Sequence, residues 1–209
     1  MTVSAAPVPD TEVSAVPSEP VWRLTVSQYH DMIQHGILTE DDPVELLEGW
    51  LIQKMSKNPP HRVSTRRARE RLSRALPAGW YVDAQEPITT LDSEPEPDVI
   101  VVRGDSDDYA DRHPSPGDVA LVVEVADASL HRDRTIKKRA YARAGIALYW
   151  IVNLIDRRVE VYSGPSGPSD QPDYRQRSEH GEGDTLVLLL DGRSASEVPV
   201  RDLLPPTRG

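Results

Sequence analysis

The sequence predicts a mixed α/β (α+β) fold, in which helices flank a central mixed β-sheet. Strand-sized apolar runs alternate with helical patterns along the chain, which is typical of this class. The run at 119–126 is apolar on both faces, as expected for a strand that is covered on both sides. A length of 209 residues suits one domain with a sizeable core, which we place at residues 21–204.

The first half of the chain predicts two helices and three strands. Residues 1–20 hold four prolines and three acids, so they predict a disordered tail. Thr25 and Gln28 have the spacing of a capping box, and Glu48-Gly49 is a turn signal between two strands. The predicted elements are a short helix ending at Gly36, a hairpin of strands 44–47 and 50–55, a helix over 61–76 and a strand over 80–87.

The second half is richer in strands. A proline-broken acidic segment leads into a strand at 98–103, and the most apolar strand of the chain follows at 119–126. A helix over 133–144 is closed by Gly145. The remaining predicted elements are strands at 147–153 and 158–162, a hairpin-like pair at 174–178 and 185–190, a short piece near 200–204 and a C-terminal tail at 205–209.

Composition excludes several kinds of protein. The chain has no cysteine, which excludes disulfides, thiolate nucleophiles and cysteine-ligated zinc. No apolar run approaches the roughly 18 residues that span a bilayer. The N-terminus lacks the basic start and apolar segment of a signal peptide. We therefore expect no membrane association and a cytoplasmic location.

The charge balance is uneven along the chain. Acids outnumber bases 34 to 24, and a net charge of −10 argues at first against nucleic acid as a partner. However, residues 62–74 and residues 131–143 each hold six basic residues and one acid, so the rest of the chain is strongly acidic. These two helical segments are either solvated faces or phosphate-facing surfaces.

Three acids lie against apolar neighbours in predicted strands. Asp98 opens one strand, Glu124 lies inside the strand at 119–126, and Glu45 lies in the first strand of the hairpin. Because burying an unpaired carboxylate is costly, such groups are usually paired, protonated or bound to a metal. Each acid also has a structural interpretation, as a turn residue, a partner of an arginine or an edge-strand charge. Two adjacent strands that each supply one acid would place both beside one hard cation, and Mg²⁺ needs few protein carboxylates.

The helix after Glu124 supplies a basic side chain at a useful position. Ile136, Ala140 and Ala144 recur at helical spacing and predict the packed face of this helix. Lys137 lies about 100° round from that stripe, at the border of the packed face. It either points into a site or snorkels over the edge of the core.

Two sets of residues carry a resemblance to known proteins. Pro97-Asp98, followed by Glu124 in an apolar strand, resembles the signature of the PD-(D/E)XK nuclease superfamily. Four segments carry a closer resemblance: LTVSQYHDMIQHGILTEDDPVELLEG, EPEPDVIVVR, YADRHPSPGDVALVVEVADASLHRDRTIKKRAYARAGIALYWIVN and RRVEVY. Together they resemble the Uma-type restriction endonuclease family of bacteria over roughly residues 22–204.

The resemblance implies a restriction-endonuclease-like fold and a metal-dependent nuclease that hydrolyses nucleic-acid phosphodiester bonds. It implies that Asp98 and Glu124 bind Mg²⁺, or Mn²⁺, and that Glu45 is an accessory acid at the metal, which either binds a second metal ion or orients metal-bound water. The superfamily motif has a lysine two residues after the glutamate, where this chain has Ala126. In this family a helix lysine takes that role, and Lys137 matches it as the fourth catalytic residue.

The implied substrate is nucleic acid, for which we expect DNA. Because two basic helices would flank an acidic metal site, we predict the following nucleic-acid-binding residues: His61, Arg62, Arg66, Arg134 and Lys138. A structural histidine and solvated arginines are the alternative interpretation. We also expect a homodimer, because cleavage of both strands of a duplex needs two sites related by symmetry.

Two other classes of function stay open at this point. A superfamily resemblance alone does not exclude a catalytically degenerate nuclease fold that acts as a nucleic-acid-binding or assembly module. A different kind of enzyme has little support, because the chain lacks the GxxxxGK[ST], GxSxG and HExxH patterns. The sequence does not decide whether the substrate is DNA or RNA, or whether the site binds one metal ion or two.

Overall fold

The structure, a computed structural model, describes residues 20–39 and 41–207. The tail predicted at 1–20 lies outside the described residues apart from Pro20, and the tail predicted at 205–209 is described as far as Thr207. Among the described residues, none of the helices has both the length and the apolar composition of a membrane span.

The first half of the chain forms two helices, a hairpin and one strand. Their bounds are α1 Val26–Gln34, β1 Val44–Leu47, β2 Trp50–Gln53, α2 Pro59–Ser73 and β3 Trp80–Asp83. The capping box is confirmed, because Thr25 and Gln28 exchange hydrogen bonds between side chain and backbone N–H. Glu48 and Gly49 both have positive φ, as a tight two-residue hairpin turn requires.

The second half contributes seven strands and one long helical segment. The strands are β4 Val99–Arg103, β5 Val119–Ala126, β6 Leu148–Asn153, β7 Arg158–Pro165, β8 Tyr174–Gly181, β9 Thr185–Leu190 and β10 Arg193–Pro199. Short 3₁₀ turns lie at Ser106–Tyr109, Pro116–Asp118 and Val200–Asp202. Residues 130–144, here named the site helix, link β5 to β6. The site helix consists of an α-helical turn Leu130–Arg132, a π-helical segment Asp133–Lys137 and an α-helix Lys138–Ala144.

A six-stranded mixed sheet in the order β3-β4-β5-β6-β7-β8 forms the centre of the fold. β5 and β6 are parallel and are joined by the site helix, whereas every other neighbouring pair is antiparallel. β1 pairs with β2, and β9 pairs with β10, in two separate hairpins. This arrangement confirms the predicted class, a central mixed sheet with helices on its faces.

The two faces of the sheet pack against different elements. Helix α2, the β9–β10 hairpin and the turn after it cover one face, and the site helix covers the other. Strand β5 contributes to both cores: Leu121 and Val123 face the first, whereas Val122 and Ala126 face the second. The prediction that this strand is buried on both faces is therefore confirmed. Glu124 accordingly does not lie on a solvent-exposed face of the sheet.

The predicted pairing of the last strands is wrong. Strand β8 does not pair with β9 but extends the central sheet beside β7, with Tyr174 opposite Pro165. Strand β9 pairs instead with β10, a strand that the sequence analysis missed because its residues are mostly polar. The physical reason is the alternation of buried and exposed residues in β9. Leu186, Leu188 and Leu190 are buried in the core on one face of the central sheet, so the β9–β10 hairpin packs against that face.

Candidate active site

Asp98 lies immediately before β4 and is held by the neighbouring strand. Val99 pairs with Val123, and this register brings the Val125 N–H to within 2.9 Å of Asp98 Oδ2, which accepts its hydrogen bond. His61 Nε2 on α2 lies 3.1 Å from the same oxygen. Burial raises the pKa of Asp98, but His61 and the Val125 N–H outweigh that effect and keep the pKa below its usual value. Asp98 is therefore a fixed carboxylate.

Glu124 is 3% exposed and projects from β5 towards the site helix. Its Oε1 accepts hydrogen bonds from Lys137 Nζ at 2.8 Å and from the Tyr141 hydroxyl at 2.7 Å. Burial raises the pKa of Glu124 to about 8, against the lowering effect of the Lys137 ammonium. Burial therefore favours the protonated form of this carboxyl, whereas a positive charge beside it favours the ionised form.

Lys137 reaches this position because the site helix is irregular. Residues Asp133–Lys137 form a π-helical segment instead of a regular α-helix. The buried residues of this segment are Asp133 and Lys137. The predicted packed stripe is accordingly wrong at Ile136, which is only half-buried. Burial lowers the pKa of Lys137, but three surrounding acids outweigh it and raise the pKa above its usual value. Lys137 is therefore an ammonium, pointing into the site and not across the core edge.

Glu45 comes from the β1–β2 hairpin and is 2% exposed. Its Oε2 accepts a hydrogen bond from the Glu96 N–H at 3.1 Å and lies 3.4 Å from Lys137 Nζ. The hairpin is tied to the site helix at the turn, where the buried Glu48 accepts two hydrogen bonds from Arg139. Glu45 and Glu124 thus flank the same ammonium from two different elements.

Asp133 joins this group of buried side chains, although the sequence did not mark it as a candidate. It is 2% exposed, and its carboxylate accepts a hydrogen bond from Ser129 Oγ at 2.7 Å. Burial raises the pKa of Asp133 to about 6, although Lys137 and Ser129 act in the opposite direction. The only available signal was its spacing of four residues from Lys137, and that spacing does not by itself distinguish a buried acid from a surface one.

A single pocket collects these side chains. Among its lining residues are six acids and four lysines or arginines: Glu45, Glu96, Asp98, Glu124, Asp127, Asp133, Lys54, Lys57, Arg132 and Lys137. His61 and Asn58 also line it. The structure therefore brings together all four predicted catalytic residues and one predicted nucleic-acid contact.

The acids of the pocket have the oxygen donors that a hard cation needs. Within the described residues, no hydrogen bond reaches Oδ1 of Asp98 or Oε2 of Glu124. Over the same ranges, however, no three His, Asp or Glu side chains form a ready-made metal cluster. This donor set fits Mg²⁺ or Mn²⁺, which keep several waters and bind through one or two carboxylates. It does not fit a closed protein cage such as a structural zinc site.

The other predicted nucleic-acid contacts do not line the pocket. The Arg134 guanidinium donates to the buried carboxylate of Glu160, and Lys138 Nζ lies 2.7 Å from Asp173. Arg62 and Arg66 are exposed on α2, outside the pocket lining. Arg134 and Lys138 therefore have structural partners of their own, and the role of all four residues in binding stays a prediction.

Comparison with known proteins agrees with this fold. A family model described as "Uma2: Putative restriction endonuclease" matches residues 26–199. A crystal structure described as "a putative nuclease belonging to DUF820", from Anabaena variabilis, is similar with a TM-score of 0.65 and 17% identity. The similarity covers 86% of this chain and 97% of that one, and at this identity it shows a shared fold. No curated protein matches the chain.

Proposed function

The chain belongs to the Uma2 family, and from that premise we propose that it is a metal-dependent endonuclease that hydrolyses DNA phosphodiester bonds. One observation carries the proposal: Asp98, Glu124, Glu45 and Lys137, which come from four different elements, all line one pocket. Acids at such a density are expensive to bury, so their convergence favours a site that performs chemistry.

Asp98 and Glu124 are the residues that would hold a divalent cation, Mg²⁺ or Mn²⁺. Each keeps one carboxylate oxygen free of hydrogen bonds from the described residues, and Glu45 is the accessory acid. When bound, the cation supplies a positive charge that polarises the phosphoryl oxygen and lowers the pKa of water. His61 and the Val125 N–H hold the Asp98 carboxylate in one orientation, and the Tyr141 hydroxyl does the same for Glu124.

Lys137 has the charge and the position to act on the phosphate. Its ammonium stays protonated because Glu124 and Glu45 flank it at 2.8 and 3.4 Å. A charged donor fixed in a buried site stabilises negative charge that develops on the phosphoryl oxygens, and it also orients the attacking water. In the reaction, water forms the new P–O bond, the bond to the leaving sugar oxygen breaks, and that oxygen takes up a proton.

The convergence of these acids and Lys137 on one pocket favours an enzyme over a degenerate binding module. A module that only bound nucleic acid would gain nothing from a buried ammonium enclosed by carboxylates. We further propose that the enzyme acts in the cytoplasm as a homodimer, since cleavage of a duplex requires two sites. A solution mass of one chain at high concentration would contradict the dimer but not the activity.

Nicking of supercoiled plasmid tests the proposed activity. We expect nicking by the wild type with Mg²⁺ or Mn²⁺ and none with EDTA. We expect its loss in Asp98→Ala, Glu124→Ala and Lys137→Ala. Equal nicking by the wild type and all three variants would place the activity elsewhere. Mg²⁺ binding that is lost in Asp98→Ala, without cleavage of any nucleic acid, would favour the degenerate module.

A further inference from the structure

Two basic side chains in the pocket lining have no hydrogen-bond partner among the described residues. Lys57 lies in the loop between β2 and α2, and its Nζ is 3.6 Å from Asp98 Oδ1. Arg132 lies at the start of the site helix, and its Nη1 is 3.9 Å from Glu45 Oε1. Both distances exceed that of a hydrogen bond, so both cations retain free donors. Their side chains are 39% and 21% exposed, which leaves them accessible from the pocket.

Other basic side chains near the site are already engaged. Lys54 donates to Glu96 at 2.5 Å, and Lys137 donates to Glu124 at 2.8 Å. Arg134, just two residues beyond Arg132, makes a bidentate contact with Glu160. Lys57 and Arg132 therefore differ from these neighbours, because their charged groups lie near the acids of the pocket without forming a short ion pair.

The N-terminus of α2 also lines the pocket, but its backbone offers no free donor there. Its first two residues, Pro59 and Pro60, have no N–H. The next N–H, that of His61, donates to the Asn58 side chain at 3.0 Å. DNA phosphates that approach this end of the helix therefore have to be bound by side chains.

We propose that Lys57 and Arg132 bind the DNA backbone phosphates next to the scissile one. This inference rests on the proposed function and deepens it by naming the residues that hold the substrate in the acidic pocket. Lys57 lies beside Asp98, and Arg132 lies beside Glu45. The two side chains would therefore bind the substrate at two different positions of the pocket. An arginine fork and a lysine point charge are both suited to phosphate oxygens, and such contacts position the substrate without reading its sequence.

Equilibrium binding to a labelled DNA duplex tests the proposal. Fluorescence anisotropy is measured with Ca²⁺ over a range of salt for the wild type, Lys57→Gln and Arg132→Gln. Each variant is expected to bind every duplex sequence more weakly. Each is also expected to lower the slope of log affinity against log salt by about 1, the loss of one phosphate contact. The charge-preserving variants Lys57→Arg and Arg132→Lys are expected to keep the slope of the wild type.

Two sets of controls make the result specific. Arg193→Gln, an exposed arginine on β10 outside the pocket, is expected to leave affinity and slope unchanged. Slopes that match the wild type in both pocket variants would overturn the proposal. So would slopes that fall only in Arg62→Gln and Arg66→Gln, or failure of the wild type to bind at low salt. Cleavage by the wild type together with unchanged slopes would refute the phosphate contacts alone, whereas reduced slopes without any cleavage would refute the nuclease alone.

Discussion

The ammonium of Lys137 lies 2.8 Å from the carboxylate of Glu124, although one projects from a π-helical turn and the other from the middle of the sheet. Both side chains are at least nine-tenths buried, and Glu45 approaches the same ammonium at 3.4 Å. A buried ion pair of this kind is a poor way to gain stability, because removing two charges from water is costly. Both side chains line the acidic pocket, which supports the catalytic role proposed for them.

The first prediction concerns the contribution of this pair to stability. Lys137→Met leaves Glu124 and Glu45 buried without their cation, so we expect the free energy of unfolding to fall by about 3 kcal/mol. Burial already raises the pKa of Glu124 to about 8, so without the Lys137 cation this carboxyl is protonated, and adding Glu124→Gln should recover less than about 1 kcal/mol. Urea denaturation measures both values. Lys138→Met is the matched control, because its partner Asp173 is exposed and the expected loss is below about 1 kcal/mol.

A second prediction concerns the turn that positions Glu45. A Cβ added at Gly49 would lie 2.6 Å from the Cβ of Arg23 and 2.9 Å from the carbonyl oxygen of Leu24. Gly79 has a similar positive φ, but a Cβ there would meet nothing within 4 Å. Both alanine variants should lose about 1 kcal/mol for the left-handed backbone. Gly49→Ala should lose at least about 1 kcal/mol more from the clash. Equal unfolding midpoints for the two variants would contradict this account of the hairpin.

The third prediction is a pH dependence at Glu160. Burial raises the pKa of Glu160, but hydrogen bonds from Arg134, Tyr162 and Asn153 outweigh it and hold the pKa below 4.5. A lowered pKa means that this stabilisation is present above the unfolded value and is lost as pH falls through the folded one. Wild-type stability should therefore fall more steeply below pH 4.5 than that of Glu160→Gln. Parallel curves from urea denaturation between pH 6 and pH 3 would refute it.

Metal-free affinity for DNA provides a fourth prediction. The pocket lining holds six acids against four lysines or arginines, so phosphate is repelled unless a cation is bound. Wild type in EDTA at physiological salt should bind a duplex weakly, and Ca²⁺ should tighten binding at least about tenfold. Asp98→Asn removes one negative charge, so it should bind metal-free DNA more tightly than the wild type and respond less to Ca²⁺. Tight binding by the wild type in EDTA would contradict this view of the pocket.

Strand periodicity was enough to single out Asp98 and Glu124. Glu124 lies in a strand that is apolar on both faces, and Asp98 opens its neighbour, so both positions follow from residues close in sequence. Asp133 was missed because its spacing of four residues from Lys137 does not distinguish a buried acid from a surface one. The partners of Arg134 and Lys138 were also beyond prediction, because Glu160 and Asp173 are 26 and 35 residues away and meet them only through the sheet. The pairing of the polar strand β10 could not be predicted either, because it depends on how the apolar side chains of β9 are buried against the sheet.

The most direct test of the proposed nuclease site is the single-turnover rate of cleavage of a labelled DNA duplex with saturating protein and Mg²⁺. Asp98→Asn and Glu124→Gln keep the shape of each side chain and remove only its charge, so folding and activity can be separated by circular dichroism. Asp191→Asn, an exposed acid paired with Arg103 and outside the pocket, serves as the control. We predict cleavage by the wild type and Asp191→Asn, and a loss of at least about a hundredfold in both site variants. Cleavage by Asp98→Asn and Glu124→Gln at the wild-type rate would contradict the account.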